Sequence, residues 1–369
     1  MTSGTFSGGL SLSHTETSPR KVSLKNHQKQ ARKTLLPPWE HWPFEVVYAS
    51  VFLLHLWQGL KARNFFYFSA ANPGIENGGL IGERKSSILA SIPKNLQPDW
   101  LLIDPQEMAE EQLPWSALPS YPFICKPDVG ERGQGVTKIA DQEAFLHYFR
   151  HSGQAFLVQA FVDLPLEAGV FYYRIPGEKK GRISSITAKH FLQVKGNGRF
   201  TLAEWVKSDA RAQRVESALQ KRHASRWNSI VPDGEVLVLE EIGNHCRGTM
   251  FLDACERINP QMEQAFDRLA DQIPGFDFGR FDIRFSSWEA LEQGEFQILE
   301  LNGSGAEPSH IYQPGYSFWK GQKVLWQHAR VLYQIARIRH QRGQAYWTLS
   351  QAKAIRKNHA LNLQKIARS

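Results

Sequence analysis

Apolar and polar residues alternate from Gly279 to Phe285: Phe281, Ile283 and Phe285 fall on one side, Arg280, Asp282 and Arg284 on the other. That period predicts a half-buried strand. The run Phe296–Asn302 alternates in the same way and puts Glu300 and Asn302 on one face, where the strand meets the turn Gly303-Ser304-Gly305. If the two strands pair, an aspartate, a glutamate and an asparagine converge. Such hard oxygen donors suit Mg²⁺, which draws further ligands from phosphates. Taken alone, the pattern fits a hairpin with a wet polar face equally well.

Upstream, Phe44–Leu60 is apolar enough for a buried helix, and its uncharged part, Val46–Leu60, falls short of the roughly 18–20 residues a span requires. The alternative is a helix lying on a membrane surface beside its basic neighbours. The aromatic run Asn64–Ser69 predicts a strand, Ile81–Ile92 a helix ending before Pro93, and Trp100–Ile103 a short buried strand. Pro122–Pro127 reads as a strand carrying Lys126 at its end. The loop from Asp128 to Val136 then holds Gly130, Gly133 and Gly135, and Val136–Ile139 returns as its hairpin partner. Asp141 caps a helix to His151, followed by strands at Phe156–Phe161, Val170–Ile175 and Ile183–His190. Lys195–Arg199 is a turn before a helix at Leu202–Val206, and the charged stretch 207–227 predicts a solvated helix or lid. Val236–Glu241 and Thr249–Leu252 read as strands and Gln261–Ile273 as an amphipathic helix. Val324–Arg342 and Ala345–Ala367 predict two closing helices.

Composition adds class and charge. The 369 residues are 42% hydrophobic and 22% charged, ordinary for a globular protein of two or three lobes. Cys125, Cys246 and Cys255 form no close-spaced pair, which points away from a disulfide framework or zinc site and toward a reducing cytoplasm. The N-terminus has no apolar core of a signal peptide. The net charge of +8 is unevenly spread. Residues 1–39 carry six Lys/Arg against Glu16 alone, and eleven Lys/Arg with no acid follow Glu307, leaving the body at −8. Solvated termini are the simpler reading of the basic ends, and contact with an anionic partner is the alternative.

A lysine-tipped strand followed by a glycine loop has a direct use: glycines let backbone N–H groups approach phosphate oxygens while the lysine neutralises charge. The spacing is neither the Walker pattern nor the dinucleotide fingerprint. In order come Lys126, the Gly130/Gly133/Gly135 loop, the Phe156–Phe161 strand, Gly279-Arg280-Phe281-Asp282 and Glu300-Leu301-Asn302-Gly303-Ser304-Gly305. In this order the chain resembles the ATP-grasp superfamily over residues 80–320, and is similar to D-alanine–D-alanine ligases and related carboxylate–amine ligases.

The resemblance implies an α+β fold in which two lobes clasp ATP under a glycine-rich flap. The implied activity is an ADP-forming ligase: a small-molecule or peptide carboxylate is activated as an acyl phosphate and attacked by an amine. It implies that Lys85 and Lys126 contact phosphates and that Gly130, Gly133 and Gly135 form the flap. Gln159, Phe161 and Val162 would receive adenine, although the family usually has glutamate near Gln159. Glu167 would hold ribose, and Lys189 or Lys195 would supply another phosphate contact. Arg280 would stabilise the tetrahedral intermediate, unless it serves only as the ion-pair partner of Asp282. Asp282, Glu300 and Asn302 would bind two Mg²⁺, or Mn²⁺ in their place. His245, Cys246 and His310 are as readily structural as acceptor-lining, and Cys125 is a core residue facing away from Lys126. The implied organisation is a disordered arm (1–36), a reduced N-terminal α/β region (37–118), a central lobe (119–206), a C-terminal lobe (207–320) and a basic helical tail (321–369). A nucleotide-binding protein without catalysis and a phosphotransferase are the rival functions.

Overall fold

The computed structural model describes residues 38–131 and 133–368, so the expected basic arm lies outside the described residues. The first helix, α1 (Phe44–Ala62), leads through irregular chain to the short α2 (Lys85–Ala90). Strands β1 (Trp100–Ile103), β2 (Phe123–Pro127) and β3 (Thr137–Ile139), helix α3 (Gln142–His151) and strand β4 (Phe156–Ala160) follow. They form a four-stranded antiparallel sheet in the order β1-β4-β2-β3. Asp141 caps α3 by accepting from the Ala144 amide at 2.9 Å. Its Phe145 and Phe149 close a core with Phe123, Cys125, Phe156 and Val158. Cys125 therefore points into this core and Lys126 out of it, as the alternation predicts.

The second sheet has five antiparallel strands in the order β11-β10-β5-β6-β9. Chain order runs β5 (Leu166–Tyr173), β6 (Arg182–His190), β7 (Gln193–Lys195), α4 (Leu202–Ser208), α5 (Ala210–Gln213), α6 (Glu216–Arg222), β8 (Val236–Val238) and β9 (Met250–Asp253). After them come α7 (Pro260–Asp271), β10 (Phe278–Phe285), α8 (Trp288–Gln293) and β11 (Gln297–Asn302). One face of the sheet packs Val170, Ile186, Phe281, Ile283 and Phe285 against Met262, Phe266 and Leu269 of α7. The other face is divided. Phe171 and Phe278 are covered by Leu332 and Ile335 of α9 (Phe318–Gln341), whereas Glu167, Gly169, Arg280, Asp282 and Arg284 front a cleft toward the first sheet. A last helix, α10 (Leu349–Arg368), completes the described chain.

Several expectations require correction. Asn64–Ser69 is not a strand: the chain turns there, with a 3-10 segment at Tyr67–Ala70. Tyr67 is fully buried, donates to Gln58 Oε1 at 2.7 Å and packs edge-on to Tyr333, so tertiary packing overrides the local β-propensity of the aromatics. The helix expected from Ile81 begins only at Lys85, because Gly82 sits at φ 73°. The stretch 207–227 is not one solvated helix. Asp209 breaks it by capping α5 through the Arg211 and Ala212 amides, and Ala212, Leu219 and Trp227 are buried with the two-stranded β7-β8 sheet in a separate small core. The penultimate helix starts at Phe318, six residues before the expected Val324.

Candidate functional site

The cleft between the two sheets holds a cavity of about 720 Å³, within the ~300–1,000 Å³ of typical small-molecule sites. Its floor is set by pairing register. Asp282 lies opposite Gly169 on β5 and Glu300 on β11, Arg280 opposite Asn302, and Arg284 opposite Glu167. Strict alternation would have placed Ile298 on the same face as Glu300. Instead the register shifts between Asp282 and Ile283, a β-bulge that sends Ile298 and Leu301 into the core and turns Glu300 and Asn302 to the cleft. The Leu299 carbonyl, within this bulge, accepts from Lys126 Nζ at 2.9 Å. Gly169 leaves room for the pair of Arg280 and Asp282: a Cβ there would lie 2.9 Å from Arg280 Cδ and 3.1 Å from Asp282 Oδ1, so either side chain would have to shift.

Charges on the floor are tightly paired. Arg280 donates to both Asp282 oxygens, at 3.2 and 3.1 Å, and also to Ser309 Oγ and the Glu307 carbonyl. Lys189 Nζ lies 3.1 Å from Asp282 and 3.0 Å from Glu167, and Arg284 Nε lies 2.9 Å from Glu167. Burial works against ionisation of Asp282, but Arg280 and Lys189 outweigh it and hold its pKa below the ordinary value. Lys189 is likewise buried, yet Asp282 and Glu167 keep its pKa raised. Lys126 reaches the floor from the first sheet, and Lys85 from α2, which packs against the second. Lys85 Nζ donates to the Gly130 carbonyl at 2.7 Å and lies 3.9 Å from Glu300. Lys126 also donates to Gln159 Oε1 at 2.8 Å, and burial pushes its pKa down to about 8. Lys85, Lys126, Lys189, Arg280 and Arg284 are thus gathered at the floor around Glu167, Asp282 and Glu300, while Glu40, Glu83, Glu131, Glu241 and Glu307 line the rest of the cavity, so the cations are concentrated at one end of it.

The remaining expected residues divide. Gly130 and Gly133 border the cavity. Gly135 supports the loop from behind, and Ile366 of α10 stands where a Cβ on Gly130 or Gly135 would come within 3.0 or 3.3 Å of it. Phe161 and Val162 follow β4 and line the cavity, but the Val162 carbonyl already accepts from Arg284. Glu167 is on the floor with one oxygen on Lys189 and the other on Arg284, so a ribose would have to share it. Gln159, expected to receive adenine, presents its oxygen to Lys126, while its Nε2, like Thr187 Oγ1, is buried without a partner. Both residues line the cavity, so these atoms offer unused hydrogen-bonding capacity to a ligand. Lys195 is a correction: it lies on β7, exposed and opposite Val236, and lines no part of the cavity, leaving Lys189 as the residue of that pair in the cleft. His245 and Cys246 line the cavity; His310 is buried behind it.

Sequence reasoning passed over several participants. Arg284 shares the face of Arg280 and Asp282, so its signal was present; it ties Glu167 to the Val162 and Glu241 carbonyls. Glu40, Trp42 and Tyr312 border the far end of the cavity, and His359 of α10 reaches it at Glu131, 3.7 Å away. Nothing in the local pattern of those segments announces such a position. For a hard dication, Glu300 offers a carboxylate with a side chain 37% exposed. Asp282 and Asn302 are its neighbours on the same face. Oxygen donors of this kind are the type Mg²⁺ takes; Glu300 is open to a ligand, whereas both Asp282 oxygens are held by Arg280, Lys189 and the Asn302 amide.

No family model matches the sequence, and no curated protein matches it. Among solved structures, the chain is similar to a D-alanine–D-alanine ligase from Bacillus anthracis, with a TM-score of 0.41 and 10% identity over 76% of this chain and 72% of that one. It is similar to the VanG D-Ala:D-Ser ligase from Enterococcus faecalis, with a TM-score of 0.37 and 14% identity over 68% of this chain and 61% of that one. For a bifunctional glutathione synthetase from Pasteurella multocida, the TM-score is 0.33 and the identity 12%, over 66% of this chain and 36% of that one.

Proposed function

We propose that this chain is an ATP-grasp ligase that joins a carboxylate to an amine with release of ADP and phosphate. The observation that carries the proposal is the arrangement at the floor of the cleft: Lys85 and Lys126 beside the glycine loop, facing Lys189, Arg280, Asp282, Glu300 and Asn302 across a ligand-sized cavity. A triphosphate and a carboxylate repel each other, and screening them in a water-poor site is the work such an arrangement performs.

In this reading Lys126 and Lys85 contact the phosphates, and the loop carrying Gly130, Gly133 and Gly135 covers them. Ile124, Val162 and Leu299 furnish apolar walls near Gln159, whose free Nε2 donates to the base. Asp282, Glu300 and Asn302 would hold Mg²⁺, which when bound would neutralise phosphate charge during transfer. Arg280, anchored by Asp282, Ser309 and the Glu307 carbonyl, orients the acceptor carboxylate at the boundary between the phosphate end and the Glu40–Tyr312 end. The carboxylate oxygen attacks the γ-phosphorus and ADP leaves. The amine then attacks the acyl carbon, inorganic phosphate departs, and the amine's extra proton is lost. Arg280 and Lys189 keep Asp282 ionised throughout.

The test is ADP release across a panel of amino acids and small peptides offered as acid and amine. Release that requires both partners, with phosphate and an amide as products, supports ligation. Accumulation of a stable phosphorylated acceptor, or nucleotide binding with no turnover across the panel, would refute it.

A further inference from the structure

Helix α1 is apolar on both faces. Val47, Val51 and Leu54 are buried toward α9, where Gln58 Nε2 donates to the Ala329 carbonyl at 3.3 Å and Gln322 Nε2 to the Val47 carbonyl at 2.9 Å. The outward face repeats at helical spacing through Val46, Ala49, Leu53, Leu56, Trp57 and Leu60. Leu53 and Leu60 are 68% and 66% exposed, and Leu56 and Trp57 are 54% and 52% exposed. A surface helix ordinarily turns charged residues to water; this face is apolar along most of its length. Contiguous exposed apolar surface of this kind marks an interaction site. No helix among the described residues is long and apolar enough to cross a membrane.

The charges beside this stripe specify its partner. Lys61 closes the helix with its ammonium 3.6 Å from the Trp57 ring centroid. The neighbouring α9 turns Lys320, Lys323, Arg330 and Arg337 outward, together with a Trp319 that is 78% exposed. The two stripes are joined at their border: Arg330 lies over the Trp326 ring, whose Nε1 donates to Ser50 Oγ of α1 at 2.9 Å. No acidic residue follows Glu307 in the sequence, and Glu45 is the one carboxylate on α1. An apolar ridge with exposed tryptophans beside a purely basic stripe matches a bilayer with anionic headgroups. The ridge enters the acyl boundary and the basic stripe meets lipid phosphates.

We propose that α1 and α9 together form a docking surface for an anionic phospholipid bilayer, with α1 lying in the plane of the interface. This surface is independent of the nucleotide reading, because vesicle binding is measured without turnover. The experiment is flotation of the full chain with vesicles of phosphatidylcholine alone or enriched in phosphatidylserine. Two variants accompany the wild type: Leu53→Ser with Leu60→Ser, and Lys320→Glu with Lys323→Glu. Partition onto the anionic vesicles should exceed that onto neutral ones by about tenfold or more, fall with added salt, and drop about tenfold in either variant. All four substituted side chains are exposed, so thermal unfolding of the variants should match the wild type. Both variants retain the basic N-terminal residues, so undiminished binding would locate the attraction elsewhere and overturn the proposal. Failure of the wild type to bind anionic vesicles would overturn it too, as would a solution dimer dissociated by the leucine substitutions in a protein that ignores vesicles.

Discussion

Asp282 and Glu300 face the cleft side by side, yet their removal should have unequal consequences for folding. Asp282 is 5% exposed and accepts from both Arg280 donors, from Lys189 and from Asn302. Asp282→Ala leaves Lys189 with Glu167 as its remaining ion-pair partner and the buried Arg280 with only the Glu300 and Glu307 charges around it. Breaking a buried pair from one side costs roughly 3–5 kcal/mol. Arg280's side chain is 21% exposed and borders the cavity, so water relieves part of the penalty and the expected loss is about 3 kcal/mol. Glu300 is half-exposed, with Lys85 at 3.9 Å as its ion-pair partner; Glu300→Ala should cost under about 1 kcal/mol. Urea unfolding of the two variants reads the difference directly, and calorimetric titration with an ATP analogue and Mg²⁺ reads the site. Glu300→Ala should unfold with the wild type and still lose magnesium-dependent binding. Equal stability of Asp282→Ala and wild type would refute the reasoning about the buried floor. Unchanged magnesium-dependent binding in Glu300→Ala would refute its place in the metal site.

Burial holds Lys126 near pH 8, so in the free protein the cation that meets phosphate is lost as pH rises through that value. Nucleotide affinity should fall above it by up to about tenfold per pH unit. Between about 8 and 10.5 the unfolded chain binds the proton the folded chain has released, so this lysine's contribution to stability rises with pH across that window. Gln159→Glu places a carboxylate beside Lys126 and should move the fall in affinity upward; a flat profile from pH 7 to 9.5 in the wild type would contradict the assignment. Gly169→Val drives a side chain against Arg280 and Asp282, and should cost about 1–3 kcal/mol in urea unfolding along with most turnover. Lys195→Ala, remote from the cleft, should leave nucleotide affinity within error, whereas Lys189→Ala should abolish it.

Much of the site was legible because its information is local. The alternation of Gly279–Phe285 placed Arg280 and Asp282 on one face, and the glycine loop after Lys126 stood out by composition. What was not legible depended on tertiary register. The bulge that turns Glu300 and Asn302 toward the cleft has no local signature, since strict alternation also puts them on one face but takes Ile298 with them. Glu167 was assigned from sequence order to a ribose, but cross-strand pairing delivers it to Arg284 and Lys189. The strand expected at Asn64–Ser69 failed because propensity describes how a residue suits a pleated surface, and no strand among the described residues pairs with that segment; its Tyr67 instead packs onto the sheet face beside Phe171 and Phe278. His359 and Ile366 reach the glycine loop from more than two hundred residues away in sequence. Only the folded chain brings them there.

Calorimetric titration of the wild-type protein with a non-hydrolysable ATP analogue, with and without Mg²⁺, tests the central claim most directly. The account predicts saturable, one-to-one binding that requires the metal and disappears in Lys126→Met. Absence of binding, or binding indifferent to both Mg²⁺ and Lys126, would contradict it.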